Sequence, residues 1–110
     1  MAEPSEILQG TLDLLVLRAL ELGAMHGLGI SDRIKQVTNA VFVVKPGSLF
    51  PALHRLEQNG WVVGRWGESE NSRRAKFYTL TRSGRAQLGK EKRNWNRVFT
   101  AVNSLLGSES

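Results

Sequence analysis

The sequence predicts a mainly α-helical fold that carries one small β-hairpin. Three observations predict this class: apolar residues recur at helical spacing in several segments, two runs rich in β-branched and aromatic residues flank a polar stretch, and the last helical segment is the longest. With 110 residues, the chain has room for one compact domain. We expect a globular part over residues 1–81 and a C-terminal helix with a frayed tail over residues 82–110.

The first helix is predicted over Leu8–Leu22, where apolar residues lie on nearly every side, and Gly23 ends it. After a short turn, the second helix is expected over Gly27–Val37 and closes at Asn39. The run Ala40–Val44 is too short for a helix and predicts a brief strand. Two helices and a short extended segment therefore precede the next element.

The third helix is predicted over Gly47–Gly60, with Gly60 as the left-handed residue that ends it. Pro51 is tolerable in this helix only within the first turn, where its missing N–H would have no partner in any case. Ser48 is a candidate N-cap. The stripe expected to face inward consists of Leu49, Ala52, Leu53 and Leu56.

A hairpin is predicted from strands over Trp61–Trp66 and Ala75–Thr81, joined by a segment without apolar residues. The lack of apolar side chains predicts an exposed loop. Trp61 and Trp66 are interpreted as packing residues of the hairpin. Arg73 and Arg74 bring positive charge to its tip.

The last helix is expected to begin at Thr81 or Ser83 and to reach Leu106. Several of its apolar residues recur with the spacing of an a/d seam, which favours pairing with a second helix. The predicted dimer interface consists of Leu88, Trp95, Val98, Phe99, Val102 and Leu105. Glu91 interrupts the seam in its first half, so the spacing alone does not establish a coiled coil.

Three helices followed by a hairpin with a basic tip have the element order of a winged helix-turn-helix domain. In such a domain the third helix enters the major groove of DNA, about 12 Å wide, and the hairpin tip reaches the flanking backbone. The candidate DNA-binding residues are Ser48, Leu49, Phe50, His54, Arg55, Arg73, Arg74 and Lys76. For Ser48, capping and phosphate contact both remain open. For His54, an ordinary surface or half-buried histidine is the favoured interpretation over a DNA contact.

Four segments of the chain resemble the PadR family of bacterial transcriptional regulators. They are 8–17, 25–30, the Gly-Ser-Leu-Phe-Pro-Ala-Leu stretch within 47–57, and the wing strand 73–81. The similarity runs from about Leu8 to Val102 and is to the short subfamily, which has a single C-terminal helix. Phe50 and Leu28 depart from the family pattern, in which a tyrosine and an aromatic residue are usual.

The resemblance implies a homodimeric repressor that binds a palindromic operator in double-stranded DNA. It also implies release by a small aromatic or hydrophobic effector that stacks on Trp95, next to Val98 and Phe99 of the last helix. A tryptophan in the core of the dimer interface explains Trp95 without an effector, and we favour that interpretation.

Composition excludes several other classes of function. The absence of cysteine excludes disulfide scaffolds and thiolate zinc sites, and no catalytic motif, cofactor motif or metal-ligand spacing is present, so we expect no enzyme, no cofactor and no metal. The net charge of +5 favours a polyanionic partner. Met1–Glu6 lacks the pattern of a signal peptide, and no apolar run is long enough for a bilayer, so we expect a cytoplasmic protein. The alternative function is a winged helix module for protein–protein contact, which the charge of the wing makes less favoured.

Overall fold

The fold consists of four helices and one small antiparallel sheet, in a computed structural model that describes residues 9–107. The elements are α1 (Gln9–Glu21), β1 (Met25–His26), α2 (Gly27–Val37), α3 (Pro46–Gln58), β2 (Val62–Glu68), β3 (Arg74–Leu80) and α4 (Arg82–Gly107). The predicted class is confirmed. The expectations for Met1–Glu6, for a helix start at Leu8 and for fraying over residues 108–110 lie outside the described residues.

The sheet has the strand order β1-β3-β2, with both pairs antiparallel. In the hairpin, Val62 lies opposite Leu80 and Glu68 lies opposite Arg74, so both strands extend further towards the tip than the sequence predicts. The short turn predicted before the second helix, at Met25-His26-Gly27, is in part a two-residue strand, β1, which pairs with β3. Hydrogen bonding along β3 thus continues on both of its edges.

The brief strand expected over Ala40–Val44 is wrong. Asn39 and Ala40 have positive φ angles of 52° and 63°, which turn the chain away from an extended path. Val44 is nevertheless 4% exposed, so the segment supplies an apolar side chain to the core without joining the sheet.

The core lies where α1, α2 and α3 meet the inner face of the hairpin and the start of α4. Its buried members are Leu12, Val16, Leu17, Ala19, Leu20, Ile30, Ile34, Val44, Leu49, Ala52, Leu53, Leu56, Val62, Tyr78, Leu80 and Leu88. Arg33 of α2 donates to the backbone carbonyls of Ala19 and Gly23, at 2.7 and 3.2 Å. These bonds satisfy carbonyls that the end of α1 would otherwise leave without a partner.

Helix α3 begins at Pro46, so Pro51 is its sixth residue and lies beyond the first turn. The expectation for Pro51 is therefore wrong. The i−4 carbonyl that Pro51 cannot serve belongs to Gly47, an exposed residue whose oxygen water can reach. Lys45 takes the N-cap position, so Ser48 is not the cap. Gly60, with φ 75°, ends this helix region as predicted.

The start of α4 is anchored to the rest of the domain. The Thr81 hydroxyl accepts from the Gly84 N–H at 3.0 Å and donates to the Gly60 carbonyl at 2.6 Å, which confirms the predicted N-cap. Gly84 packs so closely on the backbone of Trp61 that an added Cβ would lie 1.9 Å from the Trp61 carbonyl oxygen. No helix of the described chain is both long and apolar enough to cross a membrane.

Candidate nucleic-acid interface

The inner face of the hairpin begins in the core and ends in solvent. Side chains alternate between the two faces of a strand, so Val62 and Tyr78, both buried, share a face with Trp66, Lys76 and Arg74 nearer the tip. The hairpin is longer than the core beneath it. The basic residues of this face, Lys76 and Arg74, therefore project past the core on the side where the helices lie.

An open groove separates this face of the hairpin from the starts of α2 and α3. We call it the wing groove. Its lining includes Leu28, Asp32, Gln36, Phe50, Trp66, Arg73, Arg74 and Lys76. Four of the residues predicted to bind DNA (Phe50, Arg73, Arg74 and Lys76) thus come together on one side of the molecule, although they lie on separate elements.

The exposed stripe of α3 consists of Gly47, Phe50, Pro51 and His54, at i, i+3, i+4 and i+7. The Phe50 ring is 46% exposed and rests against Gly27, where an added Cβ would lie 2.7 Å from Cε1 of the ring. This contact fixes one edge of the ring on α2 and leaves the rest facing outward.

Two further residues assigned to DNA by sequence flank this stripe. Ser48 is exposed in the first turn of α3. Leu49 is 0% exposed and packs in the core, so the expectation that its side chain contacts DNA is wrong. Leu49 lies on the inward stripe of α3, and the apolar periodicity of the sequence already placed it there.

The Arg55 guanidinium is directed into the fold. Its Nη2 donates to the Asp13 carboxylate of α1, whose side chain is 14% exposed. The group that the sequence assigned to DNA therefore joins α3 to α1. The same holds in part for Lys76, whose Nζ lies 3.1 Å from the Glu57 carboxylate and so joins the wing to α3.

Lys76 also lies over the ring of Tyr78, with 5.6 Å between Nζ and the ring centroid. Burial raises the pKa of the Tyr78 hydroxyl above its usual value, and the charge of Lys76 opposes that shift. The phenol is therefore neutral at physiological pH. Lys76 and Tyr78 line the wing groove, with Glu57 paired to Lys76, and Arg73 and Arg74 remain as its outer cations.

The tip of the wing is short and exposed. The Ser69 N–H donates to the Arg73 carbonyl at 2.8 Å, and Ser72 has a φ of 57°, which closes a tight loop over residues 69–73. Arg73 and Arg74 both have exposed side chains. Cations held at such a tip can approach phosphates without distortion of the domain.

Trp66 is a residue that sequence reasoning missed. It is 61% exposed, so the interpretation as a packing residue is wrong for Trp66, whereas Trp61 packs against the core as expected. The Arg74 guanidinium carbon lies 5.0 Å from the centroid of the Trp66 ring. A prediction that extended β2 beyond Trp66 would have revealed this pair, because Arg74 is then the diagonal neighbour of Trp66 across the hairpin.

The seam predicted on α4 divides into two parts. Leu88 is 1% exposed and belongs to the core of its own chain, so its assignment to a dimer interface is wrong. The remaining apolar residues form an uncovered surface that we call the distal stripe: Trp95, Val98, Phe99, Val102 and Leu105. Their exposed fractions lie between 43% and 69%. The rings of Trp95 and Phe99 are stacked, with centroids 6.3 Å apart.

The residues that the structure describes contain no group of three or more His, Cys, Asp or Glu placed to hold a metal ion. The surface features that carry chemistry are therefore the cationic wing groove and the apolar distal stripe.

Comparison with known proteins identifies the family. Residues 16–90 match the profile of the transcriptional regulator PadR-like family. A transcriptional regulator of Mycobacterium tuberculosis is 30% identical over 86 residues, which cover 78% of this chain and 74% of that protein.

Solved structures agree with this match. A transcriptional regulator from Clostridium thermocellum superposes with a TM-score of 0.80 at 28% identity, covering 91% of this chain and 97% of that one. A PadR-like regulator from Bacillus cereus gives a TM-score of 0.79 at 28% identity over 93% of this chain and 97% of that one. The family is one of regulators rather than enzymes. The chain therefore belongs to the PadR-like family of transcriptional regulators.

Proposed function

We propose that this regulator is a homodimeric repressor that binds a specific sequence in double-stranded DNA. The observation that supports it most is the wing groove, in which Phe50 of α3 and the outer cations Arg73 and Arg74 share one exposed side. An exposed helix face beside a cationic hairpin tip is the arrangement that suits one major groove and its flanking phosphates.

In this proposal the base contacts come from the exposed stripe of α3. Phe50 offers an apolar edge to a thymine methyl group, and His54 lies one turn further along, within reach of base edges. Ser48 contributes a hydroxyl to phosphate or base. Phe50 lacks the hydroxyl of the tyrosine usual in the family, so the helix contributes shape and apolar contact more than hydrogen bonds.

The phosphate contacts are assigned to Arg73 and Arg74 at the wing tip. Contacts with phosphate depend on counterion release, so they strengthen binding to any sequence and make it sensitive to salt. Lys76 is paired with Glu57 and contributes by holding the wing against α3.

The dimer is assigned to α4, with residues 1–81 as the DNA-binding unit and 82–110 as the dimerisation unit. An uncovered stripe of five apolar side chains on one helix face suits burial against a second copy. Two copies joined in this way would present their α3 helices about 34 Å apart, one turn of DNA, and so bind a palindrome. A small aromatic effector would lie between the subunits against Trp95, Val98 and Phe99 and release the operator.

Electrophoretic mobility shifts on the promoters of its own gene and its neighbours test the proposal. We expect retardation that an excess of mixed-sequence duplex does not abolish. Failure to retard any of these promoters at low salt would contradict specific DNA binding and favour a protein–protein role for the wing. Sedimentation tests the dimer independently, because a stable monomer at micromolar concentration would contradict it.

A further inference from the structure

Trp66 is the exposed aromatic residue of the wing, and neither the core nor the expected DNA contacts account for it. Its ring is 61% exposed on the inner face of the hairpin, and it lines the wing groove together with Phe50. A single exposed apolar side chain needs no explanation. The second observation is the Arg74 guanidinium, which lies 5.0 Å from the centre of that ring.

The Arg74 guanidinium lies over the Trp66 ring, and no hydrogen bond found over residues 9–107 uses its N–H donors. A guanidinium stacks through its face, whereas its N–H donors lie in the plane and point outward. Stacking also reduces the number of rotamers open to a long side chain, so less entropy is lost when a phosphate is bound. Trp66 thus holds the cation in a defined position and leaves its donors available.

The charge of Arg74 is not neutralised within the described chain. Glu68 lies opposite Arg74 in the strand register, yet the ion pairs found over residues 9–107 join other residues, among them Lys76 with Glu57. The wing therefore contains one cation tied to α3 and one cation stacked on an indole that faces outward.

The geometry points to a DNA-contacting role for Trp66, which rests on the proposed function: its indole positions Arg74 on a backbone phosphate and packs on the adjoining deoxyribose. Trp66 acts on binding mainly through Arg74, so it is a positioning residue. Because the contact is with the backbone, it should strengthen binding to mixed-sequence duplex as well as to an operator.

The test is a salt series of binding to a labelled mixed-sequence duplex and to the promoter of the protein's own gene, read by fluorescence anisotropy. Trp66→Ala should weaken binding to both about ten-fold, as expected for loss of a charge-assisted hydrogen bond to phosphate. It should also shallow the salt dependence by about one unit, as if a phosphate contact were lost, although no charge has been removed. Trp66→Phe, which keeps a ring under the cation, should stay within about three-fold of the wild type.

Two further variants separate positioning from a general effect on the fold. Arg65→Ala removes a cation from the opposite face of the same strand and should change neither affinity nor salt dependence appreciably. Trp66→Ala combined with Arg74→Ala should bind nearly as Arg74→Ala alone does, because Trp66 acts mainly through Arg74. Should Trp66→Ala fold poorly, Trp66→Thr supplies a good strand former without a ring.

Two results would overturn the inference: wild-type affinity and salt slope for a folded Trp66 variant, or independent, multiplying effects of the Trp66 and Arg74 substitutions. Both leave the proposed function intact. A wild-type protein that binds neither duplex would instead remove the proposed function itself, so the two failures are distinguishable.

Discussion

The wing groove and the distal stripe both expose aromatic side chains, but their chemical surroundings differ. In the wing groove, Phe50 and Trp66 lie beside Arg73 and Arg74. The distal stripe contains five apolar side chains in succession on one face of α4, with no charge among them. A mixed cationic and aromatic surface suits a polyanion with sugar and base edges, whereas an uninterrupted apolar surface suits another protein surface.

The distribution of charge along the chain does not follow this division between the two surfaces. Helix α4 contains six of the 15 basic residues and a single acid, so most of the net charge of +5 lies on the helix assigned to dimerisation. The wing is cationic only locally. The net charge favours a polyanionic partner, but most of that charge does not lie at the proposed DNA interface.

The largest expected effect comes from placing a charge in the distal stripe. Val98→Glu should weaken dimerisation by about 100-fold or more, because an unpaired carboxylate would have to be buried between the subunits. Sedimentation at micromolar concentration should then show a monomer, and operator affinity should fall with it. Ser104→Glu adds the same charge on the opposite side of the helix and should leave the dimer intact. Equal behaviour of the two variants would contradict the assignment of the stripe.

The next largest effect is expected from removing the outer cations of the wing groove. Replacing both Arg73 and Arg74 with alanine should shallow the dependence of log affinity on log salt by about two units, one for each lost phosphate contact. The loss should be similar for operator and mixed-sequence duplex, since phosphates carry no sequence information. Lys90→Ala removes an exposed cation from α4 and serves as the control. A changed sequence preference with an unchanged salt slope would argue for base contacts at the tip.

Much of the fold could be predicted because it depends on local periodicity. Helix α2 has the bounds that its apolar spacing predicts, and the cap at Thr81 follows from residue type. The two-residue strand β1 could not be found, because two residues show no alternation and depend on pairing with β3. The extended segment expected over Ala40–Val44 failed for the opposite reason: local β-propensity yielded to a turn with positive φ at Asn39 and Ala40.

The exposure of the candidate site residues could be predicted where local periodicity determines it, and not where a partner distant in sequence determines it. Arg55 and Asp13 are 42 residues apart, and no sequence pattern around either residue predicts their ion pair. Leu88 shares the heptad spacing of Trp95, but periodicity reports which residues share a face and not whether that face meets its own core or a second chain. Trp66 was missed because the hairpin extends further towards its tip than expected.

The Arg55–Asp13 pair gives a smaller effect, on stability. Arg55→Ala should lower the free energy of unfolding by about 2 kcal/mol, because it leaves a largely buried carboxylate without its partner. Urea unfolding measures this. Arg18→Ala, which breaks the more exposed pair with Glu21, should cost less than about 0.5 kcal/mol. If Arg55→Ala instead weakens DNA binding and barely changes stability, Arg55 contacts DNA rather than joining α3 to α1.

The smallest effect concerns the ion pair between Lys92 of α4 and Glu21 of α1, which marks the end of the anchored part of α4. A hydrogen bond from Lys92, at 2.9 Å, and a second from Arg18 lower the pKa of the Glu21 carboxyl below its usual value, and partial desolvation opposes them. A carboxyl group whose pKa is lowered by folding contributes stability at neutral pH that is lost as the pH falls through its folded-state pKa.

Glu21→Gln should therefore cost roughly 0.5 kcal/mol near pH 7, a small amount because the pair is partly exposed, and the cost should shrink as acid protonates Glu21. Lys92→Met should show the same trend, since it removes the other partner of the pair. Urea unfolding of both variants and the wild type from neutral to acid pH provides the measurement. A stability difference that stays constant over that range would mean that the Glu21–Lys92 pair does not hold α4 on α1. The boundary between the anchored part of α4 and the distal stripe would then depend on the Thr81 hydrogen bonds, Gly84 and Leu88.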